Sequence, residues 1–368
     1  MTTPPTLTQS ADRWRRRVFA ILFILAVLLL TAGLTTVRAA VVSSIVEHPV
    51  PGSPKNLVVE APGRVWFTMP AENQLGRLVV TSSTDVVFTP FPLPNAASEP
   101  YDLAYADGLI WFTEKAGNRI GRLDTATGAI TEFAIPTANS QPTGIDVAPN
   151  GNVWFVEQAA DKLAMFNPVN TNFTEVAVPA AVEGTAMESV AVADNLNIWL
   201  TAPDANLVPN YRADRGTWSL TSTESFLEKF DTPVDVIIDP SGRPWTTATD
   251  SNVLGRFIGE TLSSWRWFDA PSDNAGPSKM TIRNAGSQWY VFFTETRRSS
   301  VAMLQVRASD IQLRFIADVP LPTANGAPWG IDVDEDGHVW IAGSGSNVIA
   351  EWQAPYFQTL YLPSVRER

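Results

Sequence analysis

Gly108-Leu109-Ile110-Trp111-Phe112-Thr113-Glu114 sets an aromatic pair and a Thr just behind a Gly turn. The phrase returns as Gly63-Arg64-Val65-Trp66-Phe67-Thr68 and as Gly151-Asn152-Val153-Trp154-Phe155-Val156-Glu157. Further copies stand at Ile198-Trp199-Leu200-Thr201, Pro244-Trp245-Thr246-Thr247, Val291-Phe292-Phe293-Thr294-Glu295 and Gly337-His338-Val339-Trp340-Ile341. The seven copies follow each other at 45, 43, 45, 46, 47 and 48 residues, with Phe292 in the Trp position of the sixth. A period of this length marks an array of supersecondary units that stack to share a core.

Outward from the aromatic phrase, each unit has three more pieces. An entry Pro-x-x-apolar comes first, as in Pro54-Lys55-Asn56-Leu57, Pro100-Tyr101-Asp102-Leu103, Pro142-Thr143-Gly144-Ile145 and Pro328-Trp329-Gly330-Ile331. The fourth copy, Met187-Glu188-Ser189-Val190, lacks the Pro. Alternation such as Ile145-Asp146-Val147 has the period of a strand. Asn150-Gly151 and Asp336-Gly337 before the aromatic phrase are hairpin signals. Asn-x-apolar-Gly-Arg follows it at Asn73, Asn118 and Asn252, and an outer strand such as Ile130 to Pro136 ends the unit.

Four short strands per unit of this length predict a β-propeller blade, and seven copies predict seven blades. The fold class read here is all-β, a seven-bladed propeller of four-stranded blades over residues 41–356. In this reading the Trp residues fill the space between neighbouring sheets. Ile45 to Pro51 resembles an outer strand yet precedes the first inner strand, so it is expected to complete the last blade. Phe357 to Pro363, in a C-terminal strand and tail of residues 357–368, competes for that slot. Residues 203–225 are poor in motif, so an insertion or distorted strand is expected in blade four.

Residues 1–40 read as a signal peptide or signal anchor: Arg13, Arg15, Arg16 and Arg17 precede an apolar run over residues 18–34. Val37-Arg38-Ala39 offers a cleavage site; left uncut, residues 18–34 would be a membrane anchor. Either way the body is expected to be extracytoplasmic, secreted or anchored facing outside. Beyond residue 40 the chain carries 21 basic and 37 acidic residues, net −16. That sign argues against a nucleic-acid partner, which needs Lys and Arg against phosphates. The chain has no Cys, which excludes a disulfide frame, a thiolate metal site and a Cys nucleophile.

Hairpin logic places the residue after each entry Pro, and the residue after each aromatic phrase, on one face of the ring. The candidate ligand-binding residues are therefore Lys55, Tyr101, Thr143, Glu188, Ser278 and Trp329, with Glu114, Glu157 and Glu295 close by. Glu114, Glu157 and Glu295 recur at one blade position; they read as acceptors for loop backbone, or as a carboxylate ring for a divalent cation, Mg or Ca. Tyr101 and Trp329 read as stacking faces for a sugar or aromatic ligand, or as caps on the core. The expected partner at this funnel is a small molecule, carbohydrate or protein, and the protein is expected to be a monomer.

The unit Pro-x-Gly-Ile, Asp-Gly-x-Val-Trp-Phe-Thr-Glu, Asn-x-Ile-Gly-Arg, Gly-x-Ile-Thr-Glu-Phe-x-Ile-Pro resembles the virginiamycin B lyase (streptogramin lyase) family. Residues 100–136 match closely, and the resemblance covers residues 45–352. It implies a lyase that opens a ring by elimination, with histidines after the entry Pro of late repeats, an acidic residue and Mg²⁺. A base of near-neutral pKa suits proton abstraction beside a carbonyl. Here the matching positions are Val234, Ser278 and Trp329, and the two histidines, His48 and His338, lie elsewhere in the repeat. The expectation is therefore a non-catalytic binding propeller with no catalytic residues assigned. The alternatives are a lyase of the family's type and a lactonase-like metal-dependent hydrolase.

Overall fold

The computed structural model describes residues 44–354, apart from 83, 195, 223–230, 260–264, 287 and 308–312. The expected signal or anchor, the competing strand at residues 357–363 and part of the irregular stretch of blade four lie outside the described residues. Among the described residues no helix is long and apolar enough to cross a membrane.

Seven four-stranded antiparallel sheets form the seven expected blades. Blade two shows the plan, with strands Pro100–Ala106, Leu109–Glu114, Arg119–Asp124 and Ile130–Ala134. Blade seven takes three strands from the end of the chain, Pro328–Val333, His338–Gly343 and Val348–Gln353, and its fourth, Ile45–Pro49, from the beginning. That fourth strand pairs in register from Ile45 opposite Trp352 to Pro49 opposite Val348. The N-terminal segment closes the ring, as the sequence indicated. Blade four is complete, although its inner strand is only Val190–Val192.

The aromatic phrase has three separate jobs. Its Trp packs toward the next blade: Trp66 and Leu75 of blade one meet Leu103, Ile110 and Phe112 of blade two. Trp66, Trp245 and Trp340 are fully buried. Their indole N–H groups are satisfied by carboxylates, as in Trp245 Nε1 to Asp239 Oδ2 at 3.1 Å and Trp340 Nε1 to Asp334 Oδ2 at 3.0 Å. The Phe lies across the third strand of its own blade. A Cβ on Gly121 would stand 2.0 Å from the Phe112 ring, which is why that strand carries Gly there.

The Thr is the third part, and it joins blades. In five blades the pairing register slips between the entry Pro and its apolar residue, as at Pro100 to Leu103 and Pro277 to Met280. Such a bulge leaves backbone groups without ladder partners. In five blades the Thr hydroxyl serves two of them. It accepts the N–H of Asn56, Asp102, Ser189, Asp235 or Lys279 of its own blade at 3.1–3.2 Å. It then donates to the carbonyl of Tyr101, Thr143, Val234, Ser278 or Trp329 in the next blade at 2.7–3.2 Å.

Blades three and seven carry Val156 and Ala342 in place of the Thr. Both have Gly in the bulge, at Gly144 and Gly330. These glycine N–H groups reach the next blade directly, Gly144 to Glu188 O at 3.0 Å and Gly330 to Lys55 O at 2.9 Å. A Cβ on Gly144 would sit 2.7 Å from that carbonyl oxygen, so no other residue allows the approach. Two residues on, Asp146 accepts from Val192 N and Asp332 from Val59 N, each at 2.8 Å. Gly-Ile-Asp is thus a second solution to the same blade junction.

Candidate functional site

The junctions just described fix the residue after each entry position, because its carbonyl is held by the preceding blade. Five of these residues, Lys55, Tyr101, Glu188, Val234 and Trp329, line a cavity of ≈ 420 Å³ together with Pro70, Ala71, Ala186 and Pro203. Such a cavity, mostly apolar with a few polar groups, has the size and composition of a small-molecule site.

Its polar groups form one cluster. The Tyr101 hydroxyl donates to Glu188 Oε1 at 2.6 Å. Lys55 Nζ stands 3.5 Å over the centre of the Tyr101 ring and 5.6 Å from that of Trp329. Lys115 Nζ lies 4.7 Å from the same Tyr101 ring. Burial draws the Lys55 ammonium down to about 8; Glu188 opposes this, and Lys115 and Lys279 add to it. Burial and the Glu188 charge push the Tyr101 phenol far above its ordinary value, so it stays a hydrogen-bond donor.

The other sequence candidates are placed differently. Thr143 is fully buried, with its hydroxyl on Met187 O at 3.1 Å. Ser278 is 1% exposed and its hydroxyl donates to Gly276 O at 3.2 Å. Glu114, Glu157 and Glu295 are wholly buried, each inside its own blade. Burial raises all three to about 7, against nearby Ser98, Ser140 and Ser300 respectively, which pull the other way. Neither carboxyl oxygen of Glu114 or Glu157 has a hydrogen-bond partner of good geometry. Among the described residues no group of three or more His, Asp or Glu is gathered as a metal would need.

Two further features lie outside the candidate residues. Below the mouth, the inner strands line an axial channel of ≈ 480 Å³ with Asp102, Asp146, Asp235, Lys279 and Asp332. Lys279 Nζ lies 3.0 Å from Asp235 Oδ1, which also accepts from Ser189 Oγ at 2.8 Å. Burial lowers the Lys279 ammonium, but Asp235, Asp102 and Glu188 outweigh it and hold the charge. The signal lay in the second residue after each entry Pro and in the repeated Gly-Ile-Asp.

The second feature is the meeting of the two histidines. His48 Nε2 and His338 Nδ1 lie 3.2 and 3.3 Å from the two oxygens of Glu351, beside a cavity that also includes Trp340 and Gln353. This cavity shares no residue with the one around Lys55. Only ring closure brings the histidines together, since the strand carrying His48 is the one that completes blade seven.

A family model described as the virginiamycin B lyase family matches residues 43–352. Among solved structures, a streptogramin B lyase is 24% identical, with a TM-score of 0.71, covering 84% of this chain and 97% of that one. Virginiamycin B lyase from Staphylococcus aureus is 24% identical with a TM-score of 0.70, covering 84% of this chain and 98% of that one. A catalytically inactive variant of that enzyme, solved with quinupristin, gives the same figures. At this identity the structural likeness speaks for the fold. No curated protein sequence matches.

Proposed function

The chain belongs to the virginiamycin B lyase family, and from that premise we propose that it is a binding propeller, its funnel mouth taking a small molecule without catalysing streptogramin ring opening. One observation carries the reading. The residues after the late entry prolines are Val234, Ser278 and Trp329, while His48 and His338 are occupied at Glu351, outside the mouth cavity. The mouth offers aromatic faces, an ammonium and a phenol–carboxylate pair, which are recognition groups.

The test uses quinupristin, the compound solved with the inactive relative. Incubation with the full chain should return the compound unchanged on liquid chromatography; appearance of the ring-opened isomer would overturn the non-catalytic reading. A thermal-shift screen of carbohydrates and aromatic small molecules should find ligands that raise the melting temperature, as mass action requires. Mg²⁺ and Ca²⁺ in that screen test for a cation in the funnel.

We further propose that the body works outside the cytoplasm, supported by the basic and apolar residues 13–34. Sequencing of the mature protein decides its attachment: a start at Ala40 means release, and an intact residue 18–34 run means a membrane anchor.

A further inference from the structure

We propose that the funnel mouth selects an anionic ligand, a small aromatic carboxylate whose charge meets Lys55 and whose ring lies along Trp329; this deepens, and rests on, the small-molecule reading above. The first observation is where positive charge is left without a counter-ion. The chain has five lysines within a net charge of −12. Of the four described, Lys162 and Lys279 stand against carboxylates, Glu175 at 2.7 Å and Asp235 at 3.0 Å. Lys55 and Lys115 form no ion pair among the described residues and instead meet at one ring, 3.5 and 4.7 Å from the centre of Tyr101. The Tyr101 face and the charge of Glu188 favour the ammonium form of Lys55. A ring face meets the charge but leaves ammonium N–H groups for an acceptor from outside.

The second observation is what else the cavity offers. Glu188, the one carboxylate among its lining residues, already accepts the Tyr101 hydroxyl at 2.6 Å. The hydroxyls of Ser53 and Ser344 donate to the carbonyls of Ser344 and Ala327, at 2.7 and 2.8 Å. The remaining walls, Pro70, Ala71, Val234 and Trp329, are apolar. Two ammoniums against one carboxylate leave the mouth net positive in an acidic protein. The guest that fits carries one anionic, acceptor-rich group for Lys55 and a flat apolar body for the walls. A carboxylate takes charge-assisted hydrogen bonds from an ammonium, roughly twice as strong as neutral ones. Its charge also offsets the repulsion between Lys55 and Lys115. A sugar would leave many of its hydroxyls against apolar walls without partners. A cationic ligand would meet two like charges. The ≈ 420 Å³ of the cavity has room for a fused two-ring body.

2-Naphthoate, 2-naphthamide and 2-naphthylmethylamine share that body and differ in charge. Equilibrium dialysis against the full chain at neutral pH should show naphthoate binding on the order of tenfold tighter than the amide, with the amine weakest. Raising NaCl to about 0.5 M should weaken naphthoate and leave the amide unchanged. Lys55→Met keeps the apolar stem and removes the charge. It should bring naphthoate down to the level of the amide, while the amide binds as before; Lys115→Met should give a smaller drop in naphthoate binding. Equal binding of naphthoate and amide by the parent protein, a comparison that needs no variant, overturns the anionic preference and leaves small-molecule binding standing. Unchanged naphthoate binding in Lys55→Met does the same, as does tighter binding of the amine, which would make Glu188 the anchor. Binding of none of the three overturns small-molecule binding as well.

Discussion

Replacing Glu114 with Gln should make the protein more stable at alkaline pH and leave it unchanged in acid. The carboxyl is wholly buried, with Ser98, Glu132 and Arg119 as its polar neighbours. Burial dominates and lifts it from an ordinary 4.5 to about 7. Because the folded value lies above the unfolded one, the folded state keeps its proton longer. The resulting stability is complete below pH 4.5 and is lost as pH rises toward 7. A shift of that size corresponds to about 3 kcal/mol. Gln has the shape of the protonated acid and does not ionise, so the variant avoids the loss. By calorimetry, Glu114→Gln should match the parent at pH 4.5 and melt about 5 °C higher at pH 8.5. A variant destabilised equally at both pH values would refute the reasoning, since Glu114 would then be a charged acceptor rather than a buried acid.

Three further outcomes follow from the blade junctions. Thr247→Val keeps the shape but strands the Asp235 N–H and the Ser278 carbonyl; it should cost about 2–3 kcal/mol in urea unfolding. Gly330→Ala places a Cβ 2.7 Å from the Asn56 and Leu57 backbone and should lower stability by about 2 kcal/mol or more, measured the same way. Asp332→Ala removes the acceptor of Val59 N, Val333 N and Thr281 Oγ1; a loss of about 2–4 kcal/mol should appear in the same urea curves.

The ring and its seven blades were legible because the Trp, Phe, Gly and Arg of each copy pack against neighbours at a fixed offset. Strand order followed from hairpin signals that are local. What the sequence hid is what crosses blades. Thr113 stood in the opening phrase, but its hydroxyl bonds across the junction to Thr143 O, and no local pattern shows that. Thr143 and Ser278 are buried while Tyr101 and Trp329 line the mouth cavity, although all four follow the same bulge, so the repeat pattern alone did not separate them. Val156 and Ala342 replace the Thr of the phrase; with Gly144 and Gly330 in view they belong to a different junction. The histidine pair was invisible because its two members are 290 positions apart.

The seam of blade seven also bears on how the chain assembles. His48 finds Glu351 303 positions further along the chain, among the longest-range contacts of the described residues. Contacts of such separation form late, because the loop-closure entropy must be met first. Strand Ile45–Pro49 has no partner until Val348–Gln353 exists, so six blades can be laid down on a growing chain while the first strand waits with an open edge. Ring closure thus requires both ends of the repeat array to be present. Until the two meet, strand Ile45–Pro49 and the edge of Val348–Gln353 are both open to pairing with another molecule.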